Sequence, residues 1–361
     1  MEKIAVGVIG ATGIVGQNYI RLLDKHPWFD VKYVAASPKS SGKTYERAVM
    51  DRWYMDTGIP DDIKKLLLED ANRPEMARNK CRFIFSALKL GKQEIIDLEN
   101  RYAEIDIPVV SNNSAHRSTV DVPVLITEIN YRHLDIIEEQ RKKRGWKKGF
   151  IVVKPNCSVQ SYLIPVYALK DAGYEISRLM IMTMQAVSGA GYPGVSSMDI
   201  IDNVYPLPGE EEKSETEPLK ILGTVNGGQI EPDRSLRISA HCNRVPVIDG
   251  HTACVSIKFG NEKPDISTIL EVWNNFRSVP QELNLPSAPA RPIIYRCEPD
   301  RPQPIKDRNA GNGMSVITGR LRECNVLDYR FTGLSHNIIR GAAGGGILNA
   351  ELLAAKGYFN K

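Results

Sequence analysis

An α/β chain in two parts is what this sequence predicts. Three observations carry that expectation. An apolar strand near the N-terminus runs into a glycine-rich turn and a helix, short apolar segments then alternate with helical patterns, and beyond Cys157 the strand-like runs lengthen. Strands alternating with helices indicate a parallel sheet. A length of 361 residues allows two domains, each with its own core. Hydrophobic content of 42% and charged content of 25% are ordinary for a globular protein.

The first strand, residues 4–9, leads into Gly10-Ala11-Thr12-Gly13-Ile14-Val15-Gly16 and then a helix with Val15, Tyr19, Leu22, Leu23 and His26 on one side. Such a turn lets the backbone approach a pyrophosphate, whose charge meets the helix N-terminus. Gly10, Thr12, Gly13, Ile14 and Val15 are therefore candidate contacts of a Rossmann-like dinucleotide-binding domain, although the spacing is G-x-x-G-x-x-G rather than G-x-G-x-x-G. The second strand, 31–36, ends in Ser37-Pro38-Lys39-Ser40-Ser41-Gly42-Lys43. No acid stands there to hold a ribose hydroxyl, whereas Ser37, Lys39 and Ser40 suit a 2′-phosphate, which predicts NADP over NAD.

Further strands at 83–85 and 107–110 run into Ser86-Ala87-Leu88 and Ser111-Asn112-Asn113-Ser114. Ligands of parallel sheets gather at these carboxyl ends, so Ser86 and Ala87 join the cofactor set. Arg117 follows closely, as an anion site or a surface ion pair. The apolar run 150–153 then precedes Lys154-Pro155-Asn156-Cys157-Ser158, where a strand turns into a helix that Pro165 kinks or restarts. A cysteine at a helix N-terminus is expected to have a lowered thiol pKa and to serve as a nucleophile.

In the second part, residues 179–187 form a long strand leading into Ser188-Gly189-Ala190-Gly191-Tyr192-Pro193-Gly194, a small-residue loop able to pass close to a flat ring. Residues 235–259 read as two strands joined at Asp249-Gly250, a dipeptide suited to a tight hairpin. That register places Arg244 and His251 on one face, about 13 Å apart along the strand. Histidine suits acid/base work and arginine matches a carboxylate; His241 is the rival histidine on the same hairpin. The acidic stretch 209–217 reads as a solvated helix start. Near the C-terminus, Asn337, Arg340 and a run of glycines precede an apolar helix with Ile347, Leu348, Leu352 and Leu353, expected to return to the N-terminal sheet.

A net charge of +4 falls short of a nucleic-acid footprint, and the basic run 141–148 reads as a solvated helix end and loop. The six cysteines are widely spaced with no C-x-x-C pair, so neither a metal site nor a disulfide framework is expected. No run reaches membrane-spanning length, and no signal-peptide pattern follows Met1, so a cytoplasmic location is expected.

Four motifs in this order, Gly10 to Gly16, Pro155-Asn156-Cys157-Ser158, Gln185-Ala186-Val187-Ser188-Gly189-Ala190-Gly191 and Arg244 to His251, resemble aspartate-semialdehyde dehydrogenase over almost the whole chain. Gly209-Glu210-Glu211-Glu212-Lys213 points to the archaeal and fungal branch. The resemblance implies an acyl-thioenzyme on Cys157, acid/base work by His251 and orientation of the acyl group by Gln185. It implies Arg244 on the substrate carboxylate, Glu210 on its amino group, Lys213 and Arg117 at the phosphate, and Asn156 beside the substrate. Ser188, Gly189 and Asn337 complete the cofactor set. Residues 1–156 with 337–361 would form the NADP-binding domain and 157–336 the catalytic and dimerisation domain of a homodimer or homotetramer. The implied reaction is NADPH-dependent reduction of L-aspartyl 4-phosphate to L-aspartate 4-semialdehyde and phosphate. Related readings are an N-acetyl-glutamyl-phosphate reductase, a glyceraldehyde-phosphate type dehydrogenase and an acyl-CoA reductase such as malonyl-CoA reductase. A non-catalytic NADP-binding sensor is the alternative of a different class.

Overall fold

Two β-sheets organise the computed structural model, which describes residues 2–359. The first contains β1 (Ile4–Ile9), β2 (Phe29–Ala36), β3 (Leu68–Asp70), β4 (Phe83–Ser86), β5 (Val109–Ser111) and β6 (Ile151–Val153). All its strands are parallel, in the order β3-β2-β1-β4-β5-β6. That is the doubly wound order, whose ligand crevice opens where the order reverses, between β1 and β4.

Both faces of this sheet are covered, which is why β1, β4, β5 and β6 are short, largely apolar runs. Val6, Val8, Phe83, Phe85, Val110 and Val152 face the helices Ile14–Leu23 and Gly344–Ala355. Ile9, Ile84, Val109 and Ile151 face Leu98, Tyr102 and Ala103 of the helix Lys92–Glu104. The C-terminal helix thus returns to the N-terminal sheet, as its apolar sequence predicts. In the first helix the buried side is Gly16, Tyr19, Ile20 and Leu23, with Gln17 and Asn18 buried too. Val15 and Leu22 are only half-buried. His26 lies past the helix end, buried against Glu351 at 2.8 Å.

Beyond β6 the strands are β7 (Ile176–Gln185), β8 (Tyr205–Pro206), β9 (Thr224–Asn226), β10 (Gln229–Glu231), β11 (Arg237–Arg244), β12 (His251–Phe259), β13 (Ile293–Arg296), β14 (Val316–Glu323) and β15 (Tyr329–Ser335). β9 and β10 form a separate ribbon, and the other seven build a mixed sheet in the order β13-β14-β15-β12-β7-β11-β8. Val255, Ile257 and Phe331 pack with Leu163, Val166 and Trp273 on one face. Met180, Met182 and His241 lie exposed on the other.

The expected hairpin across Asp249-Gly250 does not form. β11 and β12 are not neighbours: β11 runs parallel to one side of β7 and β12 antiparallel to the other. Pro246 cannot donate to a ladder, and residues 245–250 instead cross the end of β7, held by Val245 N to Gln185 O at 3.0 Å and Val187 N to Val247 O at 2.8 Å. Gly250 has φ of +104°, yet it serves this crossing rather than a two-residue turn. The basic run is also less solvated than expected, because Arg141 is buried and donates to Lys148 O and Gly149 O.

A buried ion pair joins three segments around Cys157. Arg340 donates to both carboxylate oxygens of Glu128 at 2.7 and 2.6 Å, to Gln160 Oε1 at 3.0 Å and to Met314 O at 3.2 Å. Among the described residues no helix is long and apolar enough to cross a membrane. Removing one partner of such a pair strands the other charge in the interior. Glu128→Ala is therefore expected to destabilise the protein by about 3–5 kcal/mol, read as a lower urea midpoint.

Candidate active site

The glycine turn assigns each glycine a distinct task. Gly10 has φ of +75°, and a Cβ there would overlap the carbonyl of Ala87, so β1 and β4 approach only through glycine. A Cβ on Gly16 would overlap Gly10 O, which fixes close packing of the helix on the strand. Gly13, by contrast, faces open space, with only Gly10 O within reach at 3.5 Å. The helix starting at Ile14 has no side-chain cap and no acid in its first turn. Its free N–H groups and dipole suit a pyrophosphate. Thr12 offers its carbonyl to Gln17 rather than to the crevice.

At the end of β2, Ser37 and Lys39 are exposed, while Ser40 is buried near Arg52. Asp70, beside Ala36 on β3, turns its carboxylate to its own backbone at Asn72 N. Exposed hydroxyl and ammonium groups therefore border this rim. Ser86 ends β4 buried, accepting from Asn113 Nδ2 at 2.9 Å. Asn337 accepts from Gly250 N and donates to Ser188 Oγ, both at 2.8 Å, pinning the turn Val187–Ala190. A Cβ on Gly189 would stand 2.8 Å from Arg244 Nη1 and 3.0 Å from His251 Cε1. The small-residue loop thus runs directly against two predicted site residues.

The strand order that broke the hairpin is what assembles this site. Arg244 pairs with Gln185 across β11 and β7, and Thr252 pairs with Met184 across β12 and β7. Arg244, Gln185 and His251 therefore stand side by side at one end of three neighbouring strands instead of along one. His241 is exposed on the open face of the sheet and takes no part.

Cys157 Sγ lies 3.2 Å from His251 Nε2. The backbone N–H of Ala186 donates to His251 Nδ1 at 3.0 Å, so Nδ1 carries no proton and Nε2 carries the hydrogen that faces sulfur. Burial, reinforced by Arg244, pulls the imidazole down to about 3 and keeps it neutral. The thiol departs from expectation. Burial, and then the Glu210 carboxylate, raise it, partly offset by Lys154, Arg117 and Arg244. Cys157 begins only a single tight turn, Ser158–Ser161, before the helix Leu163–Asp171 starts afresh, so little helix dipole reaches the sulfur. Pro165 sits in the first turn of that second helix, where its missing N–H costs nothing.

Around the sulfur the polar groups interlock. Asn156 donates from Nδ2 to Glu210 Oε2 at 2.8 Å and from its backbone to Glu217 Oε2 at 2.6 Å. Gln185 Nε2 donates to Glu210 Oε2 at 3.3 Å, and Lys213 Nζ to Glu210 Oε1 at 2.6 Å. Burial opposes ionisation of Glu210, but Lys213, Asn156 and Gln185 prevail and hold the carboxyl below its usual range. Of the three consecutive glutamates, Glu210 alone lines the cavity: Glu211 accepts from Cys242 N, and Glu212 is exposed. The helix Glu210–Ile221 is not simply solvated, because Ser214 and Glu217 are buried. Arg117 pairs with Glu217 at 2.9 Å and also lines the cavity. Arg244 is buried with one bond, Nη1 to Ala186 O at 2.6 Å, and its Nε has no partner.

Arg117, Asn156, Gln185, Glu210, Lys213 and Arg244 border one cavity of about 360 Å³, which Cys157 shares with Ile14 and Val15 at the start of the first helix. Glu217 and Lys89, the latter at the rim, escaped the sequence reading. Glu217 lies within an acidic run with nothing to single it out, whereas Lys89 directly follows the polar segment ending β4.

A parallel sheet with a glycine turn, and a thiol past its last strand that meets a histidine at the end of a mixed sheet, defines a class of nicotinamide-dependent dehydrogenases. The family models agree: "Semialdehyde dehydrogenase, NAD binding domain" matches residues 5–137 and "Semialdehyde dehydrogenase, dimerisation domain" matches 166–340. An aspartate-semialdehyde dehydrogenase of Methanothermobacter thermautotrophicus is 45% identical over 353 residues, covering 97% of this chain and 99% of that one. The crystal structure of the Candida albicans aspartate-semialdehyde dehydrogenase with NADP superposes with a TM-score of 0.89 at 38% identity, covering 99% of this chain and all of that one. A malonyl-CoA reductase (NADP) of Metallosphaera sedula is 39% identical over 364 residues, covering 100% and 99%. The chain belongs to the aspartate-semialdehyde dehydrogenase family.

Burial also pulls His116 and His336 down to about 4. Unfolded, all three histidines protonate near 6.5, so between that pH and about 4 the unfolded chain binds protons the native one does not. Stability is therefore expected to fall as pH drops through this window, checked by comparing urea midpoints at neutral and mildly acidic pH.

Proposed function

We propose that this chain reduces L-aspartyl 4-phosphate to L-aspartate 4-semialdehyde and phosphate, using NADPH and a thioester on Cys157. One observation carries the reading: a single cavity joins the cofactor turn at Ile14 and Val15 to Cys157, whose sulfur meets His251, and to Arg244, whose Nε has no partner. The glycine turn and uncapped helix fit a dinucleotide, and exposed Ser37 and Lys39 fit a 2′-phosphate. Residues 1–156 with 337–361 would hold that cofactor, and 157–336 would carry catalysis and dimerisation.

In this reading Arg244 holds the substrate α-carboxylate and Glu210 its ammonium, while Lys213 and Arg117 meet the phosphate charge. Cys157 attacks as a thiolate: a C–S bond forms, the acyl C–O bond breaks, and phosphate leaves. When bound, NADPH supplies the hydride that reduces the acyl carbon. The neutral Nε2–H of His251 donates first to sulfur and then to the acyl oxygen as negative charge develops there. This differs from the expected acid/base role, because Nδ1 already accepts from Ala186. Collapse of that oxyanion breaks the C–S bond, releasing the aldehyde and restoring the thiolate without a proton transfer.

Malonyl-CoA is the competing substrate, given the similarity to a reductase of that compound. The carboxylate of Glu210 and the guanidinium of Arg244 within one cavity favour an amino acid over a carboxylate-bearing thioester that lacks an ammonium. The expected result is NADP reduction with aspartate semialdehyde and phosphate. In Cys157→Ala it should fall at least about 10⁴-fold, while stabilisation by NADP against heat persists. Equal or better turnover with malonyl-CoA and NADPH would overturn the substrate assignment.

The exposed face of the mixed sheet, with Met180 and Met182 at 49% and 43% exposure, is the proposed contact between copies. Light scattering is expected to give a particle of twice the 40.3 kDa chain mass; a monomer would sink this proposal. A cytoplasmic location suits the proposed biosynthetic chemistry and is read by fractionation.

A further inference from the structure

Glu99 is a buried carboxyl that the proposed chemistry leaves unused. It sits on the helix Lys92–Glu104, which packs on the parallel sheet, and is 0% exposed. Among the described residues no lysine or arginine pairs with it. His116 Nε2 stands 4.0 Å from Glu99 Oε2, beyond hydrogen-bonding reach, and burial keeps that imidazole neutral. A buried carboxyl is costly unless donors meet it, and here both donors come from one segment. Glu99 Oε1 accepts from Ser111 Oγ at 2.6 Å and from Asn113 Nδ2 at 2.9 Å.

Those two bonds decide what the segment after β5 presents. With its hydrogen committed to Glu99, the Ser111 hydroxyl has only lone pairs left, and one of them accepts from the backbone N–H of Asn113 at 3.1 Å. Asn113 Nδ2 also donates to Ser86 Oγ at 2.9 Å, and Ser86 pairs with Ser111 across the ends of β4 and β5. The Asn113 amide is thus held by its nitrogen. Its Oδ1 has no partner among the described residues, yet it is not one of the sealed-off polar atoms. Burial raises the Glu99 carboxyl, but Oε1 accepts whether or not Oε2 carries a proton, so both states hold the amide the same way.

Asn113 lines the cavity that holds Cys157, Ile14 and Val15. Hydride has to reach the acyl carbon on that sulfur, so the nicotinamide half of the cofactor belongs in this cavity, while its 2′-phosphate belongs at the end of β2. An oxygen that can only accept calls for a donor on the ligand. We propose that Asn113 Oδ1 accepts a hydrogen bond from the nicotinamide half of the dinucleotide, from a ribose hydroxyl or the carboxamide N–H, and that Glu99 is the positioning residue that turns the amide for it. The proposal rests on the reading of NADPH as cofactor with its nicotinamide beside Cys157.

The test is binding without turnover: NADPH by fluorescence titration, and 2′,5′-ADP, which lacks the nicotinamide half, by calorimetry. Asn113→Ala should weaken NADPH about tenfold and leave 2′,5′-ADP unchanged. Glu99→Leu should give the same selective loss, and Glu99→Asp, too short to reach both donors, serves if Glu99→Leu does not fold. Glu99→Gln keeps an accepting oxygen and should stay within about twofold of the native protein. Because Glu99 acts through Asn113, the double variant should bind no more weakly than either single one. The reduced acetylpyridine analogue, which has no carboxamide N–H, names the donor. A loss in Asn113→Ala that persists with it assigns the ribose hydroxyl, a loss that vanishes assigns the carboxamide, and either supports the proposal. Unchanged NADPH affinity in Asn113→Ala overturns it, as does an equal weakening of 2′,5′-ADP, which marks general damage to the domain. A native protein that binds neither ligand would instead overturn the cofactor reading, and this inference with it.

Discussion

The buried pair of Arg340 and Glu128 is the contact on which the arrangement around the sulfur depends. A fully desolvated guanidinium is tolerable only when its donors are met, and here Glu128, Gln160 and Met314 meet them. Those partners come from three distant stretches of chain. Gln160 belongs to the turn that begins at Cys157, so the same charge that ties the C-terminal segment down also fixes the turn that carries the thiol. The neighbouring Gly341 shows how close that packing is: a Cβ there would stand 2.7 Å from Cys157 Cβ.

Within the cavity, electrostatics are arranged by pairing rather than by an excess of one sign. Glu210 is paired with Lys213 and Glu217 with Arg117, while the Nε of Arg244 stays without a partner. A substrate carboxylate would complete it. Neutral His251 fits the same economy of charge, since a second cation beside Arg244 in a buried site would be costly.

Much of this was legible in the chain. Glycine spacing after an apolar strand and the apolar C-terminal helix each rest on local rules, and each led to the element found. What misled was also local. Asp249-Gly250 is a hairpin dipeptide, yet β7 lies between the strands it was expected to join. Cys157 follows a strand and precedes helical spacing, but the helix breaks after one tight turn. Neither failure could be seen from neighbours in sequence, because the third strand and the burying segments come from elsewhere.

By itself the sequence determined the class of cofactor, the candidate thiol and the kinds of groups around it, because backbone conformation, dipoles and side-chain chemistry are properties of short segments. Only the tertiary structure decided which of those groups meet. Strand order set Arg244, Gln185 and His251 side by side, one backbone N–H chose the imidazole tautomer, and burial raised the thiol. Desolvation and strand neighbourhood depend on the whole folded chain, and no local pattern encodes them.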